Sequence, residues 1–212
     1  MTEPTMDEEM PTAPGIDPLE RWDDPYLSAV ARRLRHHYDL EQAVRVAGHH
    51  FPMVGHLQMT NHKHLFHPSL RYADHSIHEH VLVTDVESPS ESTVQRMVDV
   101  GHTLASDPAY LVPSPEHYST TFTFVLRCHT LSEPFTTAVK QLRERTLLRR
   151  GYHGRYTVEM VAVNTEDEQF VASAGADIAP AFATWAELDT GEPQRLSARL
   201  LTAVRGLFSR GD

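Results

Sequence analysis

The sequence predicts an α/β protein with a single mixed β-sheet of about five strands, which starts with an antiparallel N-terminal hairpin and is flanked by about three to four helices. Two observations support this fold class. Segments with apolar residues at helical spacing are interspersed with segments in which apolar and polar residues alternate one by one. A turn alone joins the first two strand segments, whereas helices separate the later ones, and such connections favour parallel strands joined by right-handed crossovers.

The first predicted elements are a helix and a long hairpin. The helix runs through "DDPYLSAVARRLRHHYDLEQ", with Asp24 as a candidate N-cap and Pro25 at the first helical position. From Phe51 the apolar period changes to two, which predicts one long strand with a bulge near Asn61 or Lys63. The stretch "PSLRYAD" is predicted to turn, and "HEHVLVTDV" is the returning strand.

The later elements alternate between helix and strand. The stretch "SPSESTVQRMVDVGHTLASD" opens with capping residues and predicts a second helix, and "HYSTTFTFVLRCHT" predicts a strand. A third helix is predicted in "SEPFTTAVKQLRERTLLRRGY", with Gly151 at its end. The stretch "YHGRYTVEMVAVNTEDEQFVAS" predicts a strand, an acidic turn at 166–168 and a short further strand. One more helix is predicted in "IAPAFATWAEL".

Composition divides the chain into three parts. Residues 1–22 are acidic and proline-rich, which predicts a disordered tail, and residues 23–188 form the single α/β domain. Residues 189–212 contain the linker "DTGEP" and an amphipathic C-terminal helix at 194–209, whose apolar residues fill an arc of about 160°. That helix is expected to pack on its own domain, a second copy, a membrane surface or another protein. The apolar arc contains Leu196, Leu200, Leu201, Ala203, Val204, Leu207 and Phe208, and the other side carries Arg195, Arg199, Arg205 and Arg210.

The charge balance argues against nucleic-acid binding and favours a cytoplasmic protein. The formal net charge is -10, and phosphate-backbone affinity depends on clustered cations. Only two lysines accompany the arginines and many acids, which is typical of a halophile, although a GC-rich genome also favours arginine. The single Cys128 excludes an internal disulfide, and no window is apolar enough to span a membrane. The acidic N-terminus lacks the apolar core of a secretory signal.

Two histidine-rich stretches, "HLQMTNHKHLFH" and "HSIHEH", are candidate metal-binding segments. In a hairpin, His62 and His64 on one strand and His78 and His80 on the next could converge, as zinc or iron requires. However, 15 histidines are spread through the chain and no recognised ligand spacing accompanies them. We therefore expect no bound metal and no cofactor. The alternative is a metal-dependent, hydrolase-like or nuclease-like enzyme that uses these four histidines.

A second candidate site is the turn within "RTLLRRGYHGRYTVEMVAV". Its basic and aromatic residues, Arg150, Tyr152, His153 and Arg155, suit a phosphate or an acidic peptide. The alternative is that the arginines offset a helix C-terminus and need no ligand. Motifs of nucleotide-binding loops and nucleophile elbows are missing from the sequence, and Cys128 is expected to be a small packed residue.

The stretches "EHYSTTFTFV", "RTLLRRGYHGRYTVEMVAVN" and "VASAGAD" resemble an uncharacterised family of halophilic archaea, with looser relatives in low-GC bacteria. The resemblance covers about residues 25–185 and implies a soluble intracellular protein, with no activity known for the family. Together these features favour a non-enzymatic soluble domain that binds a protein partner, a second copy or a small ligand. A peripheral membrane or adaptor protein, acting through the C-terminal helix, is the further alternative.

Overall fold

A computed structural model describes residues 22–64 and 71–186, and the side chains of 61–64 and 71–74 are outside that description. The predicted acidic tail up to residue 21 and the predicted C-terminal linker and helix therefore lie outside the described residues. Residues 68–70 of the predicted turn "PSLRYAD" also lie outside the described residues, whereas its residues 71–74 belong to a strand, so the turn prediction was wrong for them. Trp22, which the sequence assigned to the tail, is described and is buried beside the first helix.

The described chain is mixed α/β, with one mixed sheet of seven strands and three α-helices. The fold class is confirmed, but the predicted number of about five strands was too low. In chain order the elements are α1 (Pro25–Leu34), β1 (Asp39–Val46), β2 (His49–His64), β3 (Arg71–Val86), α2 (Glu91–Ala105), β4 (His117–Cys128), α3 (Glu133–Gln141), β5 (Glu144–Leu147), β6 (Arg155–Asn164) and β7 (Gln169–Ala172). Short 3-10 turns lie at Leu148–Gly151 and Ala179–Phe182.

The sheet has the order β1-β2-β3-β4-β6, and both β5 and β7 pair with the outer edge of β6. Strands β3, β4 and β6 are parallel, while β1, β2 and β3 form an antiparallel meander. The predicted hairpin is thus confirmed, and so is its bulge, because the register of β2 against β3 shifts between Lys63 and His64.

Two strands were missed where helices were predicted to continue. Helix α1 ends at Leu34 and the chain enters β1, whose residues are mostly exposed and pair along their length with β2. Helix α3 ends at Gln141 rather than at Gly151, and β5 follows, paired with the start of β6. Both edge strands depend on backbone hydrogen bonds to a partner distant in sequence, which a local pattern does not record. The helix predicted near residue 180 is only a 3-10 turn.

Helix α1 begins where the sequence predicts. The carboxylate of Asp24 accepts hydrogen bonds from the backbone N–H of Tyr26 at 2.8 Å and of Leu27 at 3.1 Å, and Pro25 occupies the first helical position. The same carboxylate pairs with the guanidinium of Arg127 on β4. The cap therefore also fastens the start of α1 to the carboxyl end of the parallel strands.

Helices cover the two faces of the sheet unequally. Helices α2 and α3 pack on one face, against a core that includes Phe122 and Phe124. The β3–β4 and β4–β6 connections run across the sheet in the same direction. Because parallel crossovers share one handedness, their helices α2 and α3 lie on the same face. Helix α1 and the 179–182 turn pack on the opposite face, against valines in the carboxyl-terminal halves of the parallel strands. None of the described helices is long and apolar enough to cross a membrane.

Candidate functional site

The amino-terminal half of the α1 face carries two glutamates on either side of β4. Because side chains alternate along a strand, Glu79 shares the face of the buried Val81, and Glu159 shares the face of Val161. The register places Glu79 beside Thr121 and places Glu159 beside Thr123 on β4. Both glutamates are half-buried.

Tyr38 fixes the first glutamate. Its side chain is buried just beyond the end of α1, and its hydroxyl donates a hydrogen bond to Oε2 of Glu79 at 2.5 Å. Burial and the neighbouring Glu79 charge raise the pKa of Tyr38, so its hydroxyl keeps its proton. Burial raises the pKa of Glu79, while the hydrogen bond from Tyr38 opposes that rise. Tyr38 is therefore a fixed donor that orients a carboxylate.

Of the two glutamates, Glu159 has the more strongly raised pKa. Burial raises the pKa of Glu159 to about 7, and the negative charges of Glu79 and Asp177 add to the effect. The loop that follows β7 approaches this group closely, since a Cβ on Gly175 would clash with Oε1 of Glu159. No described cation contributes to the pKa of Glu79 or Glu159. The described structure thus leaves both carboxyl groups without a positive counter-charge.

Apolar side chains border the acidic pair. Leu57 on β2 stands opposite Glu79, and Met59 stands opposite Ile77 on the same face. Leu57 and Met59 are half-buried, and Leu57 packs against the core beneath α1. This part of the face therefore combines carboxyl groups with apolar area. We call the surface formed by Leu57, Met59, Glu79, Glu159 and Asp177 the acidic face.

The opposite face carries the histidines. His56 and His80 stand opposite each other on β2 and β3, with Nδ1 of one 2.7 Å from Nδ1 of the other. Nε2 of His80 lies 3.1 Å from the carbonyl oxygen of Tyr110, so that nitrogen must donate. In the neutral ring Nδ1 of His80 then accepts, and Nδ1 of His56 donates to it. Burial lowers the pKa of His80 to about 4, which favours this neutral form.

His78 and His117 form a second pair on this side of the sheet, with ring centroids 6.1 Å apart. Both nitrogens of His117 are occupied, one by the carbonyl oxygen of His153 at 2.7 Å and the other by the hydroxyl of Thr120 at 2.8 Å. Within residues 22–60 and 75–186, where side chains are described, no group of three potential ligands could hold a metal ion.

Of the four histidines proposed as alternative metal ligands, the structure describes the side chains of two. The side chains of His62 and His64 lie outside the described residues, although their backbone belongs to β2. His78 and His80 lie on one face of β3, but His80 is engaged by His56 and by Tyr110. The absence of a bound metal stays a prediction.

The four residues proposed as a ligand site surround one turn. Arg150 is exposed with φ 59°, in the left-handed region, and Tyr152 is 83% exposed. The guanidinium of Arg155 lies 4.9 Å from the ring centroid of Tyr118, and Nδ1 of His153 is buried without a hydrogen-bond partner. Arg155 is thus engaged within the fold and the ring of His153 is half-buried, whereas Arg150 and Tyr152 face solvent. Ligand binding at this turn stays a prediction.

Sequence reasoning missed the acidic face as a site. A signal was present, because two valines follow each glutamate at alternate positions, Val81 and Val83 after Glu79 and Val161 and Val163 after Glu159. A charged residue on the buried face of a strand is uncommon unless it is paired. That signal does not show that the two strands lie one strand apart.

Comparisons with known proteins define the family and no more. Residues 23–184 match the family model described as a domain of unknown function, DUF8052. No curated protein and no solved structure matches the chain. The geometry of the described residues therefore supplies the evidence for function.

Proposed function

Because the chain belongs to the DUF8052 family, whose description assigns no activity, we propose a function from its geometry: a non-enzymatic binding domain for a cationic, partly apolar ligand. The observation that carries the proposal is the pair of half-buried carboxyl groups on one face of the sheet, on either side of β4, with no described cation among the groups that shift the pKa of either. A buried charge without a partner is costly, and a cationic ligand removes that cost.

The surroundings of the glutamates define the ligand further. Leu57 and Met59 offer apolar area beside the carboxyl groups, so a ligand with both a cation and an apolar part gains from both. A guanidinium or ammonium group donates hydrogen bonds to carboxylate oxygens at these positions. Tyr38 holds Glu79 in place before the ligand arrives, which reduces the cost of ordering. A segment of a protein partner and a small amphiphilic amine share this chemistry.

The proposal is tested by calorimetric titration of the full-length chain with a peptide amide of alternating leucine and arginine. The double variant Glu79→Gln/Glu159→Gln should bind at least about tenfold more weakly, because each charge-assisted hydrogen bond contributes about 1.5–3 kcal/mol. The matched control is Glu166→Gln/Glu168→Gln, which removes two carboxyl groups from the exposed β6–β7 turn. Equal affinity of wild type and the first variant, or equal losses in both variants, would refute the acidic face as the binding surface.

Elemental analysis of untagged protein separates this proposal from the metal-dependent enzyme. That alternative predicts about one zinc or iron ion per chain, held by histidines of the β2–β3 hairpin and lost in His78→Ala. The binding-domain proposal predicts no stoichiometric metal and unchanged peptide affinity in the presence of a chelator.

We also propose that the protein works in the cytoplasm of a halophile. The supporting features are the single cysteine, the small number of lysines and the net charge of -10. Raising potassium chloride from dilute buffer to molar concentrations should then increase the free energy of unfolding. A decrease over that range would refute the halophilic origin.

A further inference from the structure

The last described residues lie on the same side of the sheet as the acidic face. The guanidinium of Arg33 on α1 donates hydrogen bonds to the carbonyl oxygens of Ala183 at 3.0 Å, of Thr184 at 3.2 Å and of Ala186 at 2.8 Å. Helix α1 leads within four residues to Tyr38, which contacts Glu79. Residues 187–212 therefore continue from a point beside α1.

The sequence beyond that point is complementary to the acidic face. Between residues 194 and 210 the chain carries four arginines and no acid, together with the apolar arc that includes Leu196, Leu200 and Leu207. At 100° per residue, Arg205 and Arg210 border that arc on its two sides. Guanidinium groups beside an apolar arc are complementary to carboxyl groups that have the apolar Leu57 and Met59 to one side.

We propose that residues 194–210 of the same chain bind the acidic face, with their arginines against Glu79 and Glu159, and so compete with an external ligand. This inference rests on the proposed function, because it assigns an internal occupant to the same surface. Residues 187–193 span up to roughly 24 Å when extended. The distance from β2 to β6 is three strand spacings, roughly 14 Å. The connection is therefore long enough to reach any strand of this face.

Two measurable consequences follow from an internal occupant. A guanidinium beside Glu159 favours its ionised form, so its pKa falls from about 7 toward the ordinary range of a glutamate. A tethered segment also competes at the millimolar effective concentration typical of a short linker, which weakens binding of the same segment added in trans.

The experiment compares full-length wild type with full-length Arg205→Gln/Arg210→Gln. The pKa of Glu159 is followed through its side-chain carboxyl carbon by NMR, and a synthetic peptide of residues 189–212 is titrated into each chain. We expect the pKa of Glu159 to be higher in the variant by about one pH unit or more, and the variant to bind the peptide at least about tenfold more tightly. The control, Arg45→Gln/Arg96→Gln, removes the same charge from exposed positions on β1 and α2 and should match wild type.

Each other outcome overturns the inference in a distinguishable way. If wild type and variant share one Glu159 pKa and one peptide affinity, the segment does not occupy the face. The proposed function still stands in that case if Glu79→Gln/Glu159→Gln abolishes peptide binding, and it fails if no chain binds the peptide. Arginine-dependent sedimentation with phosphatidylglycerol vesicles, without a shift of the Glu159 pKa, would assign the segment to a membrane surface. A pKa shift that vanishes on dilution would place it on a second copy.

Discussion

Replacing His80 by glutamine should remove a pH dependence of stability that the buried ring imposes on the fold. His80 is 7% exposed, stacks on Phe122 with ring centroids 5.2 Å apart, and bonds His56 and the carbonyl oxygen of Tyr110 through its two nitrogens. Protonating its Nδ1 converts the acceptor for His56 into a donor and charges a buried ring. The folded state therefore resists protonation, and burial lowers the pKa of His80 to about 4.

The sign and size of the effect follow from linkage. As pH falls through about 6.5, the unfolded chain takes up a proton at His80, whereas the folded chain does so only near pH 4, so acid favours unfolding. The stabilisation is complete above about pH 7 and is lost between about pH 6.5 and 4. At about 1.4 kcal/mol per pH unit, the full loss is about 3 kcal/mol, and about 2 kcal/mol of it falls between pH 7 and 5.

The assay is urea denaturation of wild type and His80→Gln at intervals from pH 5 to 8. Glutamine offers one donor for the carbonyl of Tyr110 and one acceptor for His56, and it does not titrate. We expect the stability advantage of wild type over the variant to shrink by about 2 kcal/mol from pH 7 to 5. The control His129→Gln changes an exposed ring beside Glu166. Its free energy of unfolding should follow that of wild type across the pH range.

Parallel curves for wild type and His80→Gln across this range, or an advantage that grows in acid, would refute the reasoning. A second measurement covers a variant that fails to fold. In the wild-type NMR spectrum, the ring protons of His80 should show no titration above pH 5, and a midpoint near 6.5 would contradict the neutral ring.

Three further changes test other parts of the structure. Tyr38→Phe should raise the pKa of Glu79, because the hydroxyl stabilises its ionised form. NMR of the carboxyl carbon measures this pKa, and an unchanged pKa would contradict the hydrogen bond. Gly101→Ala on α2 should lower stability, since its Cβ would lie 2.6 Å from a methyl of Val158. Overpacking costs about 1–3 kcal/mol, against a gain of roughly 1 kcal/mol in helix propensity, and a stabilised variant in thermal denaturation would contradict this contact. Asp24→Ala should lower the free energy of unfolding by about 1–3 kcal/mol in urea denaturation, because it removes both the cap of α1 and the partner of Arg127. A loss below about 0.5 kcal/mol would show that Asp24 does not stabilise the fold in this way.

Local chemistry in the sequence was sufficient for much of the fold. The start of α1 follows from the Asp24 cap, and the β2–β3 hairpin, α2, β4 and β6 follow from apolar periods that continue for ten residues or more. The bulge of β2 was also predicted at nearly its position. These features depend on interactions within a few residues, so the sequence alone determines them.

Tertiary structure decided the edges of the sheet and the acidic face. Strands β1 and β5 pair along their length with β2 and β6, which are distant backbone partners that a local sequence pattern does not record. Glu79 and Glu159 are 80 residues apart in sequence, and they influence each other only because β4 inserts between β3 and β6 in a fixed register. Strand order and register are set by the free energy of the whole sheet, which no single segment contains.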